Sequence, residues 1–210
     1  MSSGTVSIPG RFAAFRQARR AGGRFRRVRL ALVAVLALAG LPAIGMGGWA
    51  LAIQVDGNVH AVEPGQLYRS AQLSGPGLAD VVERYGIRTV INLRGTAAGA
   101  GWYDDEIRVS QARGLNHVDI PMSASQIPDE ATTQRLISAL RDSPGPILVH
   151  CQSGADRSGL ASALYELLIV HRPVEVAAEQ LSFRYGHFPW LGSRTIAMDE
   201  AFARIAATVH

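Results

Sequence analysis

Ile147-Leu148-Val149-His150-Cys151-Gln152-Ser153-Gly154-Ala155-Asp156-Arg157-Ser158-Gly159-Leu160-Ala161 is the stretch on which the reading of this chain turns. Its first four residues form a short run that follows the turn residues Pro144-Gly145-Pro146, the pattern of a buried strand. From Ser158 to Val170 the apolar content predicts a helix, stopped near Pro173. Cys151 to Arg157 therefore form a loop between strand and helix. Such a loop can turn successive backbone N–H groups inward as an anion nest, and the helix N-terminus adds partial positive charge. Gly154 lets the backbone come close.

Working outward, Ile87–Leu93 and Leu115–Met122 read as further strands. Helices are expected over Gly77–Tyr85, Trp102–Ala112, Asp129–Arg141, Val174–Phe183 and Thr195–Thr208. Strands alternating with helices predict an α/β domain with a central, mainly parallel sheet flanked by helices. Residues 54–66 (QVDGNVHAVEPGQ) read as a linker into a globular domain over 67–210.

The 210-residue chain is 48% apolar, enough for a real core. Its single cysteine excludes an intramolecular disulfide and any multi-cysteine metal site. Residues 1–29 hold eight arginines and no acid, so subtracting eight from the net +4 leaves about −4 for the remainder. The basic balance belongs to a tail of residues 1–27 and its border, which argues against a nucleic-acid-binding body.

Residues 28–53 carry no charge between Arg29 and Asp56. At 1.5 Å per residue this run can cross a hydrocarbon core of roughly 30 Å. It predicts a single N-terminal transmembrane helix. The flanking arginines then place the N-terminus in the cytoplasm and residues 54–210 on the periplasmic or extracytoplasmic side. A cleaved export signal, with Ala50-Leu51-Ala52 as its processing site, is the competing reading.

His150, Cys151, Arg157 and Ser158 together resemble the signature of the protein tyrosine and dual-specificity phosphatase superfamily. LYRSAQ (Leu67–Gln72) and GIRTVINLRG (Gly86–Gly95) extend the likeness, which covers roughly residues 60–190. The resemblance implies a cysteine phosphatase that works without metal or cofactor. In it, Cys151 is the nucleophile, and the amides of Gln152, Ser153, Gly154, Ala155, Asp156 and Arg157 bind phosphate. Arg157 supplies a bidentate fork, and Ser158 eases departure of the sulfur. His150 braces the loop. The general acid stays open among Asp156, Asp119, Asp129 and none of these. Asp119 precedes Cys151 by 32 residues, a spacing that fits the family, and Asp129 could instead cap a helix. Asp156 beside Arg157 resembles a subset in which that aspartate serves as acid.

The expected substrate is a phosphorylated protein or small phosphomonoester. A phosphoinositide or other lipid or sugar phosphate is the alternative, as is a catalytically weak phospho-ligand-binding module. Sulfur transfer of the rhodanese kind also uses a loop cysteine on an anion cradle, but the Asp156-Arg157-Ser158-Gly159 ending argues against it. Arg69 and Arg94 are pocket-lining candidates that could equally pair with surface acids. Arg184, Tyr185 and His187 could shape the far wall.

Overall fold

The computed structural model describes residues 55–190 and 192–209, with scattered helical positions between 29 and 49. The chain divides into two compact units, residues 1–49 and 50–210. The expected membrane span falls largely outside the described residues. Those of it that are described, such as Leu32–Ala34 and Gly47–Trp49, are helical. Among the described residues no helix is long and apolar enough to cross a membrane.

Among the described residues the second unit holds five strands: β1 (His60–Glu63), β2 (Leu67–Ser70), β3 (Thr89–Asn92), β4 (Asn116–Asp119) and β5 (Ile147–His150). Their order is β1-β2-β5-β3-β4. β2, β5, β3 and β4 run parallel, and β1 joins β2 antiparallel. The mainly parallel α/β sheet expected from the alternating pattern is thus observed. His60–Glu63 lies inside the stretch read as linker. It becomes a strand because its backbone pairs with β2 and Val62 enters the core.

Helices alternate with these strands and then follow the last: α1 (Gly75–Tyr85), α2 (Gly101–Arg113), α3 (Glu130–Asp142), α4 (Asp156–Leu168), α5 (Val174–Ala178) and α6 (Ile196–Ala206). All four residues of β2, β3 and β5 are buried, as a sheet covered on both faces demands. Alternation sorts their side chains by face. Leu67, Ile91, Ile147 and Val149 meet Leu160, Leu164 and Phe202 in the larger core. Tyr68, Val90 and Leu148 meet Leu78, Val81 and Val82 of α1 in the smaller one.

α5 ends at Ala178, five residues short of the expected Val174–Phe183 helix. There the N–H groups of Glu179, Gln180 and Leu181 donate to the carbonyls of Val176, Ala177 and Ala178, three residues back, so the last turn tightens and the α-helix stops. The carbonyl of Gln180, beyond that turn, accepts Arg69 Nη1 at 2.8 Å.

Candidate active site

β5 is the central strand, and the loop after it enters α4, the most buried helix: every residue from Ser158 to Leu167 is buried. Cys151 lies at the base of that loop with 1% of its surface exposed. What shapes the cradle is where the loop's carbonyls go. The His150 carbonyl accepts Leu93 N–H at 2.9 Å, and that of Gln152 accepts Gln72 N–H at 3.2 Å. The Ser153 carbonyl accepts Asn58 Nδ2 at 2.9 Å. Arg69 Nη2 donates to the carbonyls of Gly154 and Ala155 at 2.8 and 2.9 Å. In a planar trans peptide the N–H points opposite to its C=O. Anchoring these carbonyls on the outside turns the amides to the concave side, as an oxyanion cradle requires.

Gly154 has φ +72, and a Cβ there would lie 2.6 Å from Ala71 N and Ser70 C. Backbone cannot yield at that distance, so no side chain fits.

Arg69 is wholly buried, and among the described residues no carboxylate pairs with it. Nη1 also donates to Gln180 Oε1 at 2.8 Å, and the guanidinium lies 4.1 Å from the Tyr185 ring centre. Burial pulls its pKa down to about 10, a shift opposed chiefly by Tyr185 and Cys151. It remains a cation that braces the loop from behind rather than lining the mouth. Arg94 does lie near Arg157. Its Nη1 donates to Gln72 Oε1 at 3.1 Å and its guanidinium stacks 3.6 Å from the Trp102 ring centre. Burial, and then the neighbouring Arg157, lowers its pKa.

Arg157 Nη1 donates to the carbonyls of Leu93 (3.2 Å) and Met122 (3.1 Å). Its Nε is buried and has no partner among the described residues, and the same holds for Ser158 Oγ. These donors suit an anion's oxygens and a thiolate sulfur.

A carboxylate that the sequence did not single out sits behind the loop. Glu106 of α2, 3% exposed, accepts Gln72 Nε2 at 2.8 Å and pairs with His117 Nε2 at 2.8 Å. His150 Nε2 lies 3.1 Å from Glu106 Oε2, within ion-pair distance but outside hydrogen-bond geometry. Burial alone would raise the Glu106 pKa; the histidines and Gln72 overcome it and hold it at about 2.

The three candidate acids have different surroundings. Asp119 accepts Asn92 Nδ2 at 2.7 Å, Tyr103 OH at 2.5 Å and Thr96 Oγ1 at 3.1 Å. Asp129 caps α3 through Thr132 N–H at 2.7 Å. Asp156 is the first residue of α4; its Oδ1 meets His187 Nδ1 at 2.7 Å, and its Oδ2 has no hydrogen-bond partner among the described residues. The sequence reading missed the loop supports Asn58 and Glu106. Arg69 carried one signal: a charged residue in the middle of an otherwise buried strand must find several acceptors.

A strand–loop–helix with an anchored cradle, a basal cysteine and an arginine at its rim is the site of cysteine phosphatases. A family model described as the tyrosine phosphatase family matches residues 46–182, and the chain belongs to that family. It is 28% identical over 136 residues to the dual specificity protein phosphatase TpbA of Pseudomonas aeruginosa strain UCBPP-PA14, covering 63% of this chain and 57% of the relative. The match thus spans little more than half of that relative's length. A crystal structure of P. aeruginosa TpbA, a cysteine-to-serine form in complex with pTyr, superposes with a TM-score of 0.50 at 20% identity over 71% of this chain and 96% of that one. The core catalytic domain of the PP-IP phosphatase SIW14 from S. cerevisiae gives 0.54 at 19% identity, over 71% and 91%. At these identities the structures share a fold with this chain.

Proposed function

We propose that the chain is a phosphomonoester hydrolase of the protein tyrosine and dual-specificity type, acting through a cysteinyl-phosphate on Cys151. The outward anchoring of the loop carbonyls around a buried cysteine carries this reading. The Cys151 thiolate attacks phosphorus in line, and the P–O bond to the leaving group breaks. Loop amides from Gln152 to Arg157 and the Arg157 fork stabilise the equatorial oxygens. Asp156 Oδ2 gives its proton to the leaving oxygen. Water then attacks the S–P bond's phosphorus and returns a proton to Asp156, while Ser158 Oγ donates to the departing sulfur. Asp156 is favoured because Asp119 is pinned by three donors and Asp129 is occupied as a cap.

The full chain, assayed on an aryl phosphate with a chelator present, is expected to turn over, and Cys151→Ser to abolish turnover. A folded wild-type chain that binds phosphotyrosine but hydrolyses no phosphomonoester would instead make it a binding module. Phosphotyrosine is the first substrate to try, given the TpbA relative. A second reading, a phosphoinositide or other polyphosphorylated small molecule, is favoured by Arg94 beside Arg157 and by the SIW14 likeness.

We also propose that residues 28–53 anchor the protein in a membrane as a single span, with the phosphatase domain extracytoplasmic. Leu30, Leu32, Val33 and Leu38 are helical and more than half exposed, as a lipid-facing surface would be. A reporter fused after His210 that is active in the cytoplasm would overturn that topology.

A further inference from the structure

Beside the cradle a buried polar cluster joins Asp156, His187 and Asp199. His187 is completely buried, and both ring nitrogens are engaged: Nδ1 with Asp156 Oδ1 at 2.7 Å and Nε2 with Asp199 Oδ2 at 2.8 Å. With both carboxyl groups ionised, an imidazole between them donates from both nitrogens, the imidazolium form, and when Asp156 carries a proton on Oδ2 its Oδ1 still accepts from Nδ1–H. Three features hold it in place. The backbone N–H of His187 donates to the Ser182 carbonyl at 3.2 Å. Gly186, at φ +84, turns the chain after Phe183–Tyr185, and the ring of Tyr185 packs on Arg69. Asp199 comes from the first turn of α6. His187 and Asp199 both lie beyond residue 182, where the family match ends.

We propose that His187, held by Asp199, is a positioning residue that orients the Asp156 carboxyl for proton transfer to the leaving oxygen. This rests on the reading of Asp156 as general acid. His187 fixes Oδ1 and so leaves Oδ2 as the oxygen that carries the mobile proton. In the first step the Asp156 Oδ2–H bond breaks, and the leaving oxygen keeps the electron pair of the broken P–O bond and gains the proton. The new Asp156 carboxylate is met at once by His187 Nδ1–H, whose charge Asp199 balances. In the second step the attacking water's proton returns to Oδ2, and the S–P electron pair returns to Cys151. His187 keeps both its protons throughout.

The charged groups facing His187 are Asp156 from α4 and Asp199 from α6, with Arg69 near Asp156 at one remove. Burial opposes charge on His187, but the two carboxylates prevail and raise its pKa above the ordinary value. The imidazolium is therefore present at low pH and is lost as pH rises through that raised pKa. Removing Asp199 takes away one of the two anions and must move the loss to lower pH.

The test compares full-length wild type, His187→Gln, Asp199→Asn and Asp156→Asn on aryl phosphates of graded leaving-group pKa, across pH. With poor leaving groups, His187→Gln and Asp199→Asn are expected to lose about tenfold or more in kcat, part of the 10²–10⁴ that a positioned acid supplies. The loss should shrink with good leaving groups, with KM little changed, and the alkaline limb of kcat should shift to lower pH in Asp199→Asn. Asp199 is a third exposed, so its variant decides the matter even if His187→Gln does not fold. If Asp156→Asn shows the leaving-group dependence while Asp199→Asn keeps the wild-type slope and limb, the positioning role is wrong and the acid stands. If Asp156→Asn shows no such dependence, the acid assignment fails and this inference falls with it.

Discussion

Arg69 directs one guanidinium at four carbonyl or amide oxygens, two of them on the phosphate loop. Lysine brings a compact ammonium without the planar fork, so it cannot reach the Gln180 and loop acceptors together. Arg69→Lys should therefore weaken binding of a phosphate analogue such as vanadate and lower kcat about tenfold or more, because the loop amides lose their fixed direction. The variant should also be less stable, by about 2 kcal/mol or more for lost hydrogen bonds to a charged group. Steady-state kinetics and denaturant titration would check both. Glu106 gives a pH prediction. Its pKa in the folded protein is depressed, so its contribution to stability is full above the unfolded value of 4.5 and fades as pH falls towards about 2. That shift corresponds to roughly 3 kcal/mol. Denaturant midpoints at pH 6 and pH 3 should differ more for wild type than for Glu106→Gln. Cys151, Arg157 and Ser158 were legible because they lie within eight consecutive residues. Arg69 and Asn58 reach the loop across 85 and 95 residues, a separation that no local pattern encodes.

At the level of elements, α4 works because it fits closely against the segment after α5. A Cβ on Gly159 would lie 2.9 Å from both Gln180 O and Leu181 Cδ2. Gly159→Ala must push α4 away from the residues that also hold Arg69. It is expected to lower Tm and to weaken phosphate-analogue binding together, measurable by thermal melts with and without vanadate. Asp129→Ala is the contrasting case. It removes the side-chain cap of α3, so Tm should fall by a few degrees while kcat stays unchanged. A fall in kcat that grows with poorer leaving groups would return Asp129 to candidacy as acid. Strand cores and helix stops were readable from periodicity and from Gly86 and Gly114, which end α1 and α2 in the left-handed region. The short α5 was not readable, because the apolar spacing runs on to Phe183 while the backbone tightens into three-residue turns at Glu179–Leu181, where Gln180 also serves Arg69.

For the whole molecule, the central position of β5 is the organising fact. β5, which leads directly into Cys151, has hydrogen-bonded neighbours on both sides, and α4 behind it packs against α3, α5 and α6. Hydrogen exchange should be slowest in β5 and α4 and faster at the sheet edges β1 and β4. Equal protection across all five strands would contradict this. The alternating apolar pattern announced the parallel sheet. The face each strand residue takes, such as His150 turning towards Glu106 of α2, follows from register and appeared only in three dimensions.

The lone thiol also sets the protein's response to oxidants. If peroxide converts Cys151 to a sulfenic acid, the chain has no second cysteine with which to form a disulfide. Rescue then depends on a backbone nitrogen closing onto the sulfur or on a reductant from outside. The time allowed for that rescue before irreversible sulfinic acid forms is set by how well a 1% exposed sulfur is shielded.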